Sequence, residues 1–198
     1  MKIIIIGASG TIGKVVTEEL SKRHEIIKAS RNKGDVQVDI QSPKSIESMY
    51  KHVGKFDAVV STTGEGYFGP LKTALDKDFR KGVDSKLMGQ VNLVLIGQHY
   101  IDAKGSFTLT SGILAEDPVV LGSNLSMVNG AINSFVIGAS IELENNVRIN
   151  SVSPGVVEDS PGYFPYFPGH IPVMMDNVVA AYVRSVEGAI TGKIIKVF

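Results

Sequence analysis

The first chemical signal is the run Gly7-Ala8-Ser9-Gly10-Thr11-Ile12-Gly13. It directly follows an apolar segment beginning at residue 3 and opens a segment with helical spacing of apolar residues. A glycine-rich turn in that context can hold a pyrophosphate. Gly7 permits the tight strand-to-helix turn, Gly10 lets backbone amides approach the phosphates, and Gly13 lets helix pack on sheet. Ser9, Gly10, Thr11 and Ile12 present those amides at the positive end of the helix dipole. The Lys-Ser/Thr ending of a P-loop is missing, which argues against nucleotide hydrolysis. The second chemical signal is Lys28-Ala29-Ser30-Arg31-Asn32-Lys33. A dinucleotide site for NAD places an acid at the end of its second strand. No acid stands there, and Ser30 with the planar fork of Arg31 suits a ribose 2′-phosphate. NADP(H) is therefore expected over NAD(H).

Other chemistries are excluded or thin. There is no Cys, so disulfide frameworks, thiolate metal sites and Cys nucleophiles are ruled out. His24, His52, His99 and His170 are scattered, and no metal site is expected. The 198 residues carry 20 Lys+Arg against 20 Asp+Glu, so no global charge attracts nucleic acid or an acidic membrane surface. The apolar start at Ile3–Ile6 is too short for a signal peptide. Pro118–Ile141 lacks charge but holds Asn124, Asn129 and Asn133, and reads as a buried helix rather than a membrane span. A cytoplasmic location is expected, with no nucleic-acid or membrane partner.

The elements that must position these residues alternate along the chain. Ile3–Ile6, Glu25–Ala29, Asp35–Val38, Phe56–Val60, Ser106–Thr110, Val147–Val152 and Lys193–Phe198 are short and rich in β-branched or aromatic residues, and read as strands. Most lack period-2 alternation, as expected of strands covered on both faces of a parallel sheet. Helical segments fall at Thr11–Arg23, Pro43–His52, Asp76–Asp102, about Ser123–Asn145 and Pro172–Glu187. That order predicts an α/β, Rossmann-like doubly wound parallel sheet of about seven strands with helices on both faces. At this length one domain over residues 1–198 is expected. Leu87–Ile101 and Asn124–Ile141 carry no charge, so neither helix has the usual water-facing stripe. They are expected to meet their mates in a homodimer or homotetramer.

In this order the motifs resemble the short-chain dehydrogenase/reductase family over nearly the whole length. The likeness implies that Asp39 and Ile40, in Val38-Asp39-Ile40, contact the adenine. Ser61-Thr62-Thr63-Gly64 stands where the family has Asn-Asn-Ala-Gly, and only Gly64 is kept. Arg148-Ile149-Asn150-Ser151-Val152-Ser153-Pro154-Gly155 resembles the family's sixth strand, whose Pro154-Gly155 turn and following Val156 would face the nicotinamide. Thr110-Ser111 implies Ser111 as the catalytic Ser. The family's Tyr-x-x-x-Lys pair, however, falls on Leu125 and Asn129. The family's helical Asn falls on Lys86, in Lys86-Leu87-Met88-Gly89. Set against the resemblance, the two departures look like an exchange of Lys and Asn across the active site, with Lys86 and Asn129 both catalytic; the alternative is that Lys86 is a surface residue at a helix start and the coincidence is accidental. Tyr163 and Tyr166 fall in the family's mobile substrate loop, where an aromatic, Pro-rich segment would close over an apolar substrate. The implied function is NADP(H)-dependent oxidation or reduction of a small carbonyl or alcohol. A non-catalytic NADP(H) sensor on the same fold is the alternative.

Overall fold

Four consecutive isoleucines set the architecture. In the computed structural model, which describes residues Met1–Phe198, Ile3 to Ile6 form most of strand β1 (Lys2–Ile6), and all four are buried. Ile4 and Ile6 enter one hydrophobic core, Ile3 and Ile5 the other. Successive side chains of a strand point to opposite faces, so a strand without alternation must be covered on both. Each such burial contributes about 1.5–3 kcal/mol.

The sheet is fully parallel. Beside β1 lie β2 (Glu25–Ser30), β3 (Val36–Gln37), β4 (Phe56–Ser61), β5 (Ile101–Thr110), β6 (Arg148–Pro154) and β7 (Ile194–Val197). Their spatial order is β3-β2-β1-β4-β5-β6-β7, and every neighbouring pair is parallel. Helices α1 (Thr11–Ser21) and α6 (Met175–Glu187) cover one face through Val16, Leu20, Val178 and Tyr182. Helices α2 (Pro43–Val53), α4 (Met88–Gly97) and α5 (Ser123–Ala139) cover the other through Ile46, Tyr50, Leu93, Ile132 and Val136. The strand order reverses between β1 and β4, and the crevice beyond their carboxyl ends is where this fold takes ligands. No helix is long and apolar enough to cross a membrane.

Two expected helices are shorter than their pattern. The expected Asp76–Asp102 helix consists of a short helix α3 (Asp76–Lys81), a π-helical segment Gly82–Leu87, and α4. β5 then starts at Ile101, five residues before the expected start at Ser106. A register shift between Phe56 and Ala58, with Lys104 at φ 65°, accommodates the added length of the strand. The expected Ser123–Asn145 helix ends at Ala139, and Asn145 and Asn146 adopt left-handed φ of 55° and 58°. That conformation belongs to a turn, and asparagine tolerates it better than most residues.

Candidate active site

The glycine turn forms a cradle at the reversal point. Gly7 takes φ +85° and its amide donates to the Ala29 carbonyl at 3.0 Å. A side chain on Gly13 would place its Cβ 2.0 Å from the Gly7 carbonyl oxygen, so α1 can start only with glycine there. The Thr62 hydroxyl, arriving from the end of β4, lies 3.1 and 3.2 Å from the Ile6 and Gly7 carbonyls and braces the turn. The Gly10 amide donates back to the Gly7 carbonyl and the Lys14 amide to that of Gly10. The Ser9, Thr11 and Ile12 amides have no backbone acceptor. A cradle of free amides at a helix N-terminus fits a pyrophosphate. The adjoining crevice, about 230 Å³, is lined by Gly7, Ser9, Gly10, Ser30, Arg31, Asp39, Ile40 and Thr62 among others. Ser61, expected beside the cofactor, is fully buried and does not line it. Its carbonyl accepts from the Thr110 hydroxyl, so it joins β4 to β5 instead.

The basic end of β2 is not free of acid. The Arg31 guanidinium donates to Glu65 at 2.7 Å, and the Lys81 ammonium stands 3.5 Å from the other Glu65 oxygen. The Arg31 hydrogen bond, followed by the field of Lys81, holds the Glu65 carboxyl below the usual carboxylate range. The second strand itself carries no acid at this point. The carboxylate comes from the loop after β4, 34 residues away. The Ser30 hydroxyl is tied to the backbone of Lys33.

A second cavity, about 640 Å³, opens beside the cradle and brings Ser111, Lys86 and Asn129 together. Ser111 follows β5, and its amide donates to the Val152 carbonyl at 2.9 Å. Its Oγ accepts from the Ser151 hydroxyl at 3.0 Å, leaving its own proton to donate into the cavity. Asn129, on α5, is buried and its Oδ1 has no partner. Lys86 rises from the π-helical segment, a wider turn that often marks functional sites. No carboxylate lies within 4 Å of its amine, and burial lowers its pKa to about 8. Gly64, at φ +128°, presses on its stem: a Cβ there would meet Lys86 Cα at 2.7 Å.

Gln90, fully buried one turn beyond Lys86, fixes the spacing of the site. Its Nε2 donates to the carbonyls of Lys86 and Thr110, at 3.1 and 2.9 Å. Its Oε1 accepts from the Thr110 amide at 2.8 Å. One side chain thus holds Lys86 at a set distance from the residue preceding Ser111. Leu125 faces Gly66, where an added Cβ would lie 2.3 Å from Leu125 Cδ2. Asn124 accepts from the Tyr67 amide at 2.8 Å and donates to the Phe79 carbonyl at 3.0 Å, securing the loop after β4. Pro154, Gly155, Val156 and Tyr163 complete the wall. Tyr166 does not reach it. Its ring packs edge-on against Phe68, 5.2 Å away, and lines a separate groove beside Pro118–Leu121.

A family profile described as enoyl-(acyl carrier protein) reductase matches residues 6–163, from the last residue of β1 into the loop after β6. The chain belongs to the short-chain dehydrogenase/reductase family. Its fold is similar to the crystal structure of the protein lin1944 from Listeria innocua, with 48% identity, a TM-score of 0.98 and full coverage of both chains. It is also similar to a small-chain dehydrogenase solved in complex with NADPH, at 25% identity and a TM-score of 0.89, covering 100% of this chain and 96% of that one. Among curated relatives is the NADPH-dependent 1-acyldihydroxyacetone phosphate reductase of Saccharomyces cerevisiae, 24% identical over 181 residues. That match covers 79% of this chain and 61% of the yeast enzyme. Within the family's site, sequence reasoning missed Glu65, Gln90 and Asn124. Gly64-Glu65-Gly66 was the one available hint, since glycines flanking an acid mark a backbone pressed closely by its neighbours.

Proposed function

We propose that this oxidoreductase uses NADP(H) to interconvert a small carbonyl and its alcohol. The bound nicotinamide supplies or accepts the hydride. The amides after Gly7 hold its pyrophosphate, Asp39 and Ile40 flank the adenine, and Arg31 grips the 2′-phosphate, while the Ser30 hydroxyl, tied to Lys33, shapes the turn that presents it. Pro154, Gly155 and Val156 orient the nicotinamide. Ser111 donates a hydrogen bond to the substrate oxygen. Lys86 and Asn129 hold a water that carries the proton to that oxygen. The Asn129 Oδ1, buried without a partner, accepts from the water or from the Lys86 ammonium. Tyr163 and the apolar wall of Ile113, Leu114 and Phe167 exclude bulk water and favour an apolar substrate flank. The observation that carries the reading is the Lys86 side chain, set in the same cavity as Ser111 and Asn129, where desolvation lowers its pKa to about 8.

The test is reduction of a carbonyl panel with NADPH. The rate should fall as pH rises through about 8, where Lys86 loses its proton, and Ser111→Ala and Lys86→Met should each lose most turnover. A pH profile that Lys86→Met leaves unchanged would sink the assignment. One observation favours the sensor reading: Leu125, at the family's Tyr position, is packed onto Gly66 and offers no proton. NADPH binding without turnover of any carbonyl would support it. On either reading we propose a homodimer or homotetramer, because Met88, Leu95, Met127 and Ile137 leave an apolar face exposed along α4 and α5.

A further inference from the structure

Glu65 alone lines both the crevice beside Arg31 and the cavity around Ser111. Its backbone is fixed, because its amide donates to the Ser85 hydroxyl at 2.9 Å. Its side chain is half-exposed and stands between two cations on different elements. Arg31, after β2, takes one carboxylate oxygen at 2.7 Å, and Lys81, at the end of α3, lies 3.5 Å from the other. The Arg31 pair is short and the Lys81 pair long, so without cofactor the carboxylate sits on the arginine. A carboxylate and a phosphate monoester compete for the same guanidinium fork, because both present paired oxygens.

We propose that Glu65 is a specificity residue that sets how strongly the protein prefers NADP(H) to NAD(H). It occupies Arg31 as an internal anion, which a 2′-phosphate must displace and a 2′-hydroxyl need not. Lys81 makes that displacement easy by giving the released carboxylate a second cation. The inference rests on Arg31 being the 2′-phosphate partner.

The geometry makes Glu65 and Lys81 act on the cofactor in opposite directions. Removing the carboxylate frees Arg31 in advance and removes a negative charge that would repel the phosphate, so NADPH should bind more tightly. Removing Lys81 leaves the carboxylate nowhere to go, so NADPH should bind less tightly. An exposed pair of this kind changes an equilibrium by about two- to fivefold. The effect should shrink in high salt, which screens exposed charges beyond about 3 Å at 1 M.

The test is fluorescence titration of NADPH and NADH into the full chain and four variants, at low and high salt. Glu65→Gln should tighten NADPH by about two- to fivefold and leave NADH within twofold. Lys81→Met should weaken NADPH, and most of that weakening should vanish when Glu65→Gln is present, because contacting groups couple. Arg31→Ala should weaken NADPH at least tenfold and spare NADH. Glu65→Gln that leaves NADPH unchanged, or weakens NADH instead, overturns the inference while Arg31→Ala still upholds the 2′-phosphate reading. Equal losses of both cofactors in Arg31→Ala overturn that reading and the inference with it.

Discussion

Lys86→Met should make the protein more stable and less able to react, and the size of the gain follows from the site. Burial lowers the Lys86 pKa from 10.5 to about 8. Each unit is worth about 1.4 kcal/mol, so keeping the ammonium in the fold costs about 3 kcal/mol. Lys86 is only partly buried, so solvent screening brings the figure to about 2–3 kcal/mol. The sign is fixed by which state holds the proton. Below pH 8 folded and unfolded chains both carry it, and the cost is full. From about 8 to 10.5 the folded chain releases its proton first and the cost fades. Wild-type stability should therefore rise across that window on this account. Methionine matches the lysine stem in length and carries no charge, so it removes the cost. At pH 6.5 the variant should melt about 4–12 °C higher, given about 2–4 °C per kcal/mol for a chain of this size. At pH 10.5 the gap should nearly close. Thermal melts of the protein without cofactor at the two pH values measure it. A variant that melts lower at pH 6.5, or a gap that does not change with pH, would refute the desolvation cost assigned to the Lys86 ammonium.

Two further outcomes follow from named contacts. Gln90→Leu removes three hydrogen bonds and leaves the Thr110 peptide groups buried without partners, so chemical denaturation should show a loss of about 2–4 kcal/mol; a loss under about 0.5 kcal/mol would mean the clasp is not needed. Leu95→Lys with Ile137→Lys should turn a dimer or tetramer into monomers in sedimentation equilibrium, and a wild-type chain that is already monomeric at micromolar concentration would remove the proposed interface.

What could be read from the sequence was local. Runs of β-branched residues announced the strands, and the Gly7–Gly13 spacing announced the cradle, because both patterns repeat within a few residues. Contacts made by distant residues could not be read. Nothing near Arg31 signals that Glu65, 34 residues on, will reach its guanidinium. Gln90 looks like one more uncharged residue of an apolar helix until β5 ends beside it. The π-helical segment hid for the same reason: Asp76–Asp102 has helical composition throughout, and the widened turn at Gly82–Leu87 sits where Asn124 from α5 packs on Gly82, leaving 2.2 Å for any added Cβ. Tyr166 was misplaced because a proline-rich loop has no periodicity to say which way a ring points.

The parallel sheet explains why so much of the site arrives together while the cation can move. β1, β4, β5 and β6 end at one edge, so Gly7, Thr62, Gly64, Ser111 and Pro154 converge whatever the helices carry. The wall opposite is made by two helical elements in direct contact. Gly82 of the π-helical segment meets Asn124 at the start of α5, and Gly66, between them, meets Leu125. Lys86 and Asn129 line one cavity from these two sides. The two side chains bring one ammonium and one carboxamide to it, and its charge is the same whichever helix supplies each. On the exchange proposed above, the lysine missing from α5 is a change of address rather than a loss. Its new place on a π-helical turn, with Gly64 pressed to its stem and Gln90 holding its carbonyl, fixes the backbone and the base of the side chain. The hydroxyl lost at Leu125 has no such replacement on the facing element. On that proposal, proton delivery passes through a water that Lys86 and Asn129 hold between them, and the pH dependence of turnover is expected to follow the lysine.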